Sequence, residues 1–266
     1  MRIRIREWSA RCERCRSWAS NLPVGGSEVH TNVRTSGLET LRRENFRVIL
    51  EQIASLRPLD DASLLDVGSG HGWFVQEAAR QGVRAVGIEP DASVASESAV
   101  EVRVGLFPDA VADQEMFDVI AFNDVLEHLG DVRGALVACR EHLLPAGMLS
   151  VNIPTADGLA FRIACGLARL RIHGPYDRLW QHGLPSPHLH YFKTRALVDL
   201  LTEEGFDVVS VREVRAITRD GLWERVHTVG RTGPMAIVSF AFLYLAAGLL
   251  NRRGASDVVH ILARVR

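Results

Sequence analysis

Apolar residues in this chain gather in short runs, and between the runs they recur every three or four positions. Leu64, Leu65 and Val67 form one run with Asp66 inside it, and 84–88 and 117–122 form two more. Short apolar runs bounded by turn formers read as buried strands, and 100–104 and 148–153 carry strand patterns of the same length. Trp73, Phe74, Ala78 and Ala79 fall instead on one helical stripe, which ends near Gly82. Val132, Leu136, Val137 and Leu143 mark a helix over 131–144, and Pro145-Ala146-Gly147 turns the chain into the strand at 148. A helix over 192–204 stops at Gly205, a sixth strand follows at 206–211, and 257–265 reads as a seventh. Ahead of them, Ser36-Gly37-Leu38-Glu39 has the form of a capping box, and Leu41, Ile49, Ile53 and Leu56 continue it as an amphipathic helix.

The densest chemistry lies at 63–91. Gly68-Ser69-Gly70-His71-Gly72 follows the first strand directly, and such a loop lets backbone approach a ligand closely. Asp66 closes an otherwise apolar strand, a costly place for an acid unless it meets a partner. Glu89 ends the second strand 21 positions after Gly68, where a carboxylate meets ribose hydroxyls. Two nucleotide-type cofactors fit this plan. A dinucleotide fingerprint needs a third glycine for close packing of helix on strand, and Trp73 occupies that position.

The order DxGxGxG resembles motif I of the class I S-adenosylmethionine-dependent methyltransferases. Asn123-Asp124-Val125-Leu126-Glu127-His128-Leu129 resembles the segment after the fourth strand in their ubiquinone-biosynthesis-like (type 11/23) branch, and Pro187-His188-Leu189-His190-Tyr191-Phe192 resembles the stretch before the penultimate helix there. The resemblance covers roughly 36–266. It implies an α/β, Rossmann-like class I methyltransferase fold, with a mainly parallel seven-stranded sheet flanked by helices and an antiparallel last strand. It also implies S-adenosylmethionine as cofactor, held by Asp66, Gly68, Ser69, Gly70, Gly72 and Glu89, with Asn123 at the mouth of the crevice. Neither Leu106 nor Phe107 is the acid that often meets the adenine amino group in relatives, so stacking on Phe107 is the expectation there. A sulfonium is already an activated donor, so the protein must align an acceptor and, for a hydroxyl, remove its proton. His128, His188 and His190 are the candidate bases; alternate residues of an extended segment face opposite ways, so His188 and His190 are not expected to reach one atom.

The implied function is methylation, preferably at oxygen, of a small-molecule acceptor such as a glycan, a prenylated or lipid-like compound or a secondary metabolite. The alternatives are an NAD(P)-binding oxidoreductase-like protein, which the lack of a TyrxxxLys pair also disfavours, and a catalytically silent, membrane-associated cofactor-binding partner.

Composition narrows the partners. A net charge of -1 over 266 residues, 47% of them hydrophobic, gives a sizeable core and no general attraction to nucleic acid. Of the 31 basic residues only Lys193 is lysine, a bias assigned to base composition. Four cysteines and no signal-type opening segment fit a cytoplasmic protein. Cys12 and Cys15 have the spacing of half a zinc ribbon, but only His30 is near enough to join them, and a structural zinc wants four ligands; no metal is expected. Residues 1–35, with six arginines by position 16, read as a basic N-terminal arm. The connection 154–192 is long enough to be an acceptor-side insertion or lid. Its stretch 159–171 has an apolar helical face beside Arg162, Arg169 and Arg171, and 232–251 is free of charge. Peripheral membrane contact is therefore an expectation for 159–171 or 234–250; a packed helix is preferred for the latter over a span.

Overall fold

The computed structural model describes residues 3–25, 32–217 and 254–266, with isolated positions between 223 and 248. In chain order the elements are β1 (Ile3–Arg4), β2 (Ser9–Arg11), β3 (Trp18–Ser20), α1 (Asn32–Ala54), β4 (Ser63–Val67), α2 (Trp73–Ala79), β5 (Arg84–Glu89), α3 (Ala92–Ser96) and β6 (Val102–Val104). They continue with β7 (Phe117–Asn123), a 3-10 turn (Leu126–His128), α4 (Val132–His142), β8 (Leu143–Pro154), α5 (Leu159–Arg169), α6 (Gly174–Leu179), β9 (His190–Tyr191), α7 (Thr194–Glu203), β10 (Phe206–Val214) and β11 (Val258–Val265).

Seven strands form the main sheet in the order β10-β11-β8-β7-β4-β5-β6. β4 pairs in parallel with both β5 and β7, whereas β11 is antiparallel to β8 and to β10. Neighbouring residues on each central strand bury into opposite cores: Leu64, Val119 and Leu262 face Ile49, Ile53 and Phe74, while Leu65, Ile120 and Ile261 face Leu136, Leu197 and Phe206. Helices cover both faces, so the central strands are apolar without alternation, as their sequence requires. The chain runs outward from β4 to β6 and then returns to the other side of β4 with β7. The loops after β4 and β7 therefore leave in opposite directions and open a crevice at the carboxyl ends of these strands.

The structure corrects the reading of the first 35 residues. β1, β2 and β3 join β9 in a second, antiparallel sheet, so much of the expected arm is docked. The physical reason is aromatic. Trp18 is buried with Phe161, Tyr176, Trp180 and Tyr191, and Trp8 stacks on Tyr176 at 5.7 Å. The 154–192 insertion, through α5 and α6, supplies most of this third core. The first helix begins at Asn32, ahead of Ser36, so the Ser36–Glu39 pattern lies inside α1. The apolar stretch 232–251 and His30 lie outside the described residues, apart from scattered positions in the former. Among the described residues no helix is long and apolar enough to cross a membrane.

Candidate active site

The loop 68–72 takes its shape from three left-handed residues. Gly68, Gly70 and Gly72 have φ of 68°, 54° and 71°, a region that L side chains enter at a cost of about 1–2 kcal/mol. A Cβ on Gly68 would meet Cγ2 of Val125 at 2.5 Å and one on Gly72 would meet Oγ of Ser98 at 2.5 Å, so both glycines are pressed against neighbouring crossovers. Gly70 differs, because a Cβ there meets nothing within 4 Å. Its backbone therefore faces open space. Gly70→Ala is expected to cost only the local strain, whereas Gly68→Ala adds about 1–3 kcal/mol for displacing Val125. Chemical denaturation of the two variants checks this, and equal losses would refute the difference in packing.

Sequence reasoning passed over Gly87, whose missing side chain gives room to Ser69: a Cβ there would overlap the Ser69 hydroxyl. That hydroxyl is buried and has no hydrogen-bond partner. The Ser69 amide donates to the carbonyl of Ile88 at 2.9 Å, which ties the loop to β5.

Two carboxylates flank the loop. Glu89 accepts from the Gly70 amide (2.9 Å) and from the Asp91 amide (3.1 Å). Burial nevertheless holds its carboxyl above the usual range. Asp66 is fully buried at the end of β4 and accepts from Asn123 Nδ2 at 2.9 Å. Burial pushes the Asp66 carboxyl up to about 7; the charge of Glu89 adds to the rise, and the Asn123 hydrogen bond and Arg42 oppose it. Asn123 Oδ1 has no partner. Arg42, another residue that sequence reasoning did not single out, reaches from α1 to Asp124 at 3.4 Å. Phe107 is turned inward, edge-on to Phe122 at 5.9 Å, and it packs with the core. This packing does not favour the expected stacking on Phe107; the exposed apolar residue of its loop is Leu106, 63% accessible.

The three histidines separate into a pair and a single residue. His128 and His188 stand edge to face with centroids 4.7 Å apart. His190 faces elsewhere, with Nε2 3.1 Å from the carbonyl of Leu129, to which it donates, and its ring on Phe192. Burial lowers the pKa of both His128 and His190. The Glu127 carboxylate lies 3.9 Å from Nε2 of each paired histidine. Burial, with the Asp124 charge second, drives its carboxyl well above the usual range. Glu127 follows the apolar Val125 and Leu126 and directly precedes His128, and an acid beside a histidine after an apolar pair is the signal that could have marked it.

A methyltransferase-domain family profile matches residues 38–211. Among curated proteins, the chain is similar to the ubiquinone biosynthesis O-methyltransferase of Xylella fastidiosa, 35% identical over 127 residues, which are 44% of this chain and 52% of that protein. The corresponding enzyme of Methylocella silvestris is 27% identical over 143 residues, 50% of this chain and 56% of its own length. The match thus spans about half the length of these relatives. Among solved structures, geranyl diphosphate C-methyltransferase from Streptomyces coelicolor superimposes with a TM-score of 0.57 at 15% identity, over 91% of this chain and 87% of that one. An S-adenosylmethionine-dependent methyltransferase from Mesorhizobium loti gives 0.53 at 14%, over 83% and 96%. At such identities the likeness is one of fold.

Proposed function

The chain belongs to the methyltransferase-domain family, and from that premise we propose that it methylates an oxygen of a small-molecule acceptor with S-adenosylmethionine as donor. The observation that carries this reading is the loop 68–72, with an open face at Gly70, between a buried Asp66 and a Glu89 that bridges two amides. Methionine carries an ammonium and a carboxylate. Asp66, with Asn123 beside it, is suited to the ammonium, and the glycine loop 68–72, open at Gly70, lets the methionine end approach the backbone closely. Glu89 has carboxylate lone pairs left for ribose hydroxyls. Leu106 is better placed than Phe107 to cover the adenine.

Bound S-adenosylmethionine supplies an activated methyl group, which leaves the protein to position the acceptor and handle its proton. His190 is committed as a donor to Leu129. The Nδ1 of His128 is held at 2.9 Å by the carbonyl of Pro187, so its second nitrogen faces Glu127. Handling of the acceptor oxygen therefore falls to Glu127, His128 and His188 together. Ubiquinone biosynthesis enzymes among the relatives support a lipid-like or aromatic hydroxyl as the acceptor class.

Calorimetric titration with S-adenosylmethionine and S-adenosylhomocysteine, beside NAD and NADP, tests the cofactor. Saturable adenosyl-ligand binding is expected, weakened by about 10- to 100-fold in Glu89→Ala through loss of a charged hydrogen-bond acceptor. A response to dinucleotides alone would return the protein to the oxidoreductase alternative.

Peripheral membrane contact through 159–171 is a further part of this reading. α5 buries Phe161, Ala164 and Ala168 in the aromatic core, but Ile163, Leu170 (73% accessible) and Ile172 are exposed beside Arg162, Arg169 and Arg171. Apolar residues flanked by arginines suit an anionic lipid surface. Co-sedimentation with phosphatidylglycerol vesicles is expected, with release by Leu170→Ser combined with Ile172→Ser. Equal sedimentation of that variant would remove the contact from this segment.

A further inference from the structure

Glu127 is 0% exposed, and neither of its carboxylate oxygens has a hydrogen-bond partner in another residue. An ionised carboxylate in such a place is costly unless a cation or donors meet it. Arg42, the guanidinium whose charge is felt there, is engaged by Asp124. What surrounds the carboxylate instead is imidazole. One ligand-type atom from each of Glu127, His128 and His188 lies within 4.8 Å of the others.

The orientation of the rings adds a second observation. His128 Nδ1 is 2.9 Å from the carbonyl of Pro187, which requires the proton on Nδ1 and leaves the lone pair on Nε2 pointing toward Glu127. A carbonyl behind an imidazole is the usual outer support of a metal ligand. For His188, the side-chain amide of Gln181 lies 2.8 Å from Nε2. The backbone fixes the meeting of the two segments, because the Leu189 amide donates to the carbonyl of Glu127 at 2.9 Å.

We propose that Glu127, His128 and His188 bind one divalent transition-metal ion of the zinc class, through the carboxylate and the two imidazoles. Zinc holds such ligands at about 2.0–2.2 Å, which puts tetrahedral ligand pairs roughly 3.4 Å apart. The two separations from Glu127, 3.9 Å each, are about half an ångström wider and no pair of the three exceeds 4.8 Å, so side-chain rotations close the site once Gln181 moves aside. Two imidazoles and one carboxylate select against magnesium and calcium, which require oxygen ligands. Three protein ligands leave a coordination position for an exogenous oxygen. A role for the ion in polarising an acceptor hydroxyl rests on the methyl-transfer reading; its binding does not.

The test uses the full chain carrying Cys12→Ser and Cys15→Ser, so that these exposed thiols cannot take the ion. Titration with Co2+, followed by visible d–d absorption, is expected to saturate at one equivalent, to be reversed by Zn2+ and to resist Mg2+. Glu127→Gln and His188→Ala should each weaken binding by about 100-fold or more, since even outer-shell changes cost 10- to 100-fold. Gln181→Ala, which removes only the group that must move, should bind at least as tightly. No d–d band in excess Co2+, or a band unchanged in both ligand variants with native circular dichroism, overturns the site. If a variant loses its native circular dichroism, X-ray absorption of the zinc-loaded parent decides: imidazole scattering supports the site and a shell of oxygen alone overturns it. Adenosyl-ligand binding by the same sample reports separately on the methyl-transfer reading. Protein that binds that ligand and not Co2+ overturns the metal site alone.

Discussion

Asp66→Asn is expected to make the ligand-free protein more stable at neutral pH while removing most of its affinity for S-adenosylmethionine. Burial raises the folded-state carboxyl to about 7 from an ordinary value of 3.8. Between those values the folded state holds a proton that the unfolded state has released, so stability falls as pH rises from about 4 to 7 and is level beyond. At about 1.4 kcal/mol per unit the loss amounts to roughly 4 kcal/mol. An asparagine has no such dependence, and its amide can donate to Asn123 Oδ1, which lacks a partner. Binding behaves in the opposite sense. An ammonium requires ionised Asp66, so wild-type affinity should rise about tenfold per pH unit from 5 to 7 and then level off, whereas the variant should be flat and at least about 100-fold weaker at pH 7. Urea denaturation and calorimetry across pH 4–8 measure both slopes. Parallel pH profiles for the two proteins would remove Asp66 from the ammonium site.

Trp180→Ala should cost about 3–5 kcal/mol, as expected for deletion of a fully buried indole, and the damage should be local. Trp180 lies against Tyr191 (5.1 Å), Trp8 (5.7 Å) and Tyr176 (6.0 Å), and its carbonyl accepts from the His188 amide at 3.1 Å. Amides of β2 and β3, and that of Ser20, which donates to Leu189, should exchange hydrogen faster, while those of β4 and β7 should keep their protection. Uniform acceleration over the whole main sheet would show that the aromatic core is not a separate cooperative unit. Because His188 hangs from the same carbonyl, the variant should also loosen the Glu127–His128–His188 group.

Both predictions concern groups whose partners are distant along the chain, and here the sequence and the structure part company. The strand, glycine loop and helix at 63–79, the second strand ending in Glu89, and the chain order of the seven main-sheet strands were legible, because each depends on residues within a few positions of one another; α3, α6 and β9 were not. Side-chain alternation, left-handed glycines and helical stripes are local consequences of backbone sterics. The antiparallel last strand followed from family resemblance rather than from any such local rule. The docking of 3–20 was not legible: Tyr176 reaches Ser9 across 167 positions, and isolated strands of two or three residues carry almost no pattern. Phe107 read as an aromatic open to a ligand, and only the packing of Phe122 and His142 around it shows the ring turned inward.

By itself, then, the sequence determined the α/β class, the family, the glycine loop and the identity of the acids beside it. Tertiary structure alone decided that Asp66 meets Asn123 across 57 positions, that Gly87 gives room to Ser69, and that Glu127 stands between two imidazoles with no hydrogen-bond partner in another residue. Local conformation is set by sterics within a few residues, whereas burial, desolvation and the convergence of charges arise only when crossovers bring distant segments together.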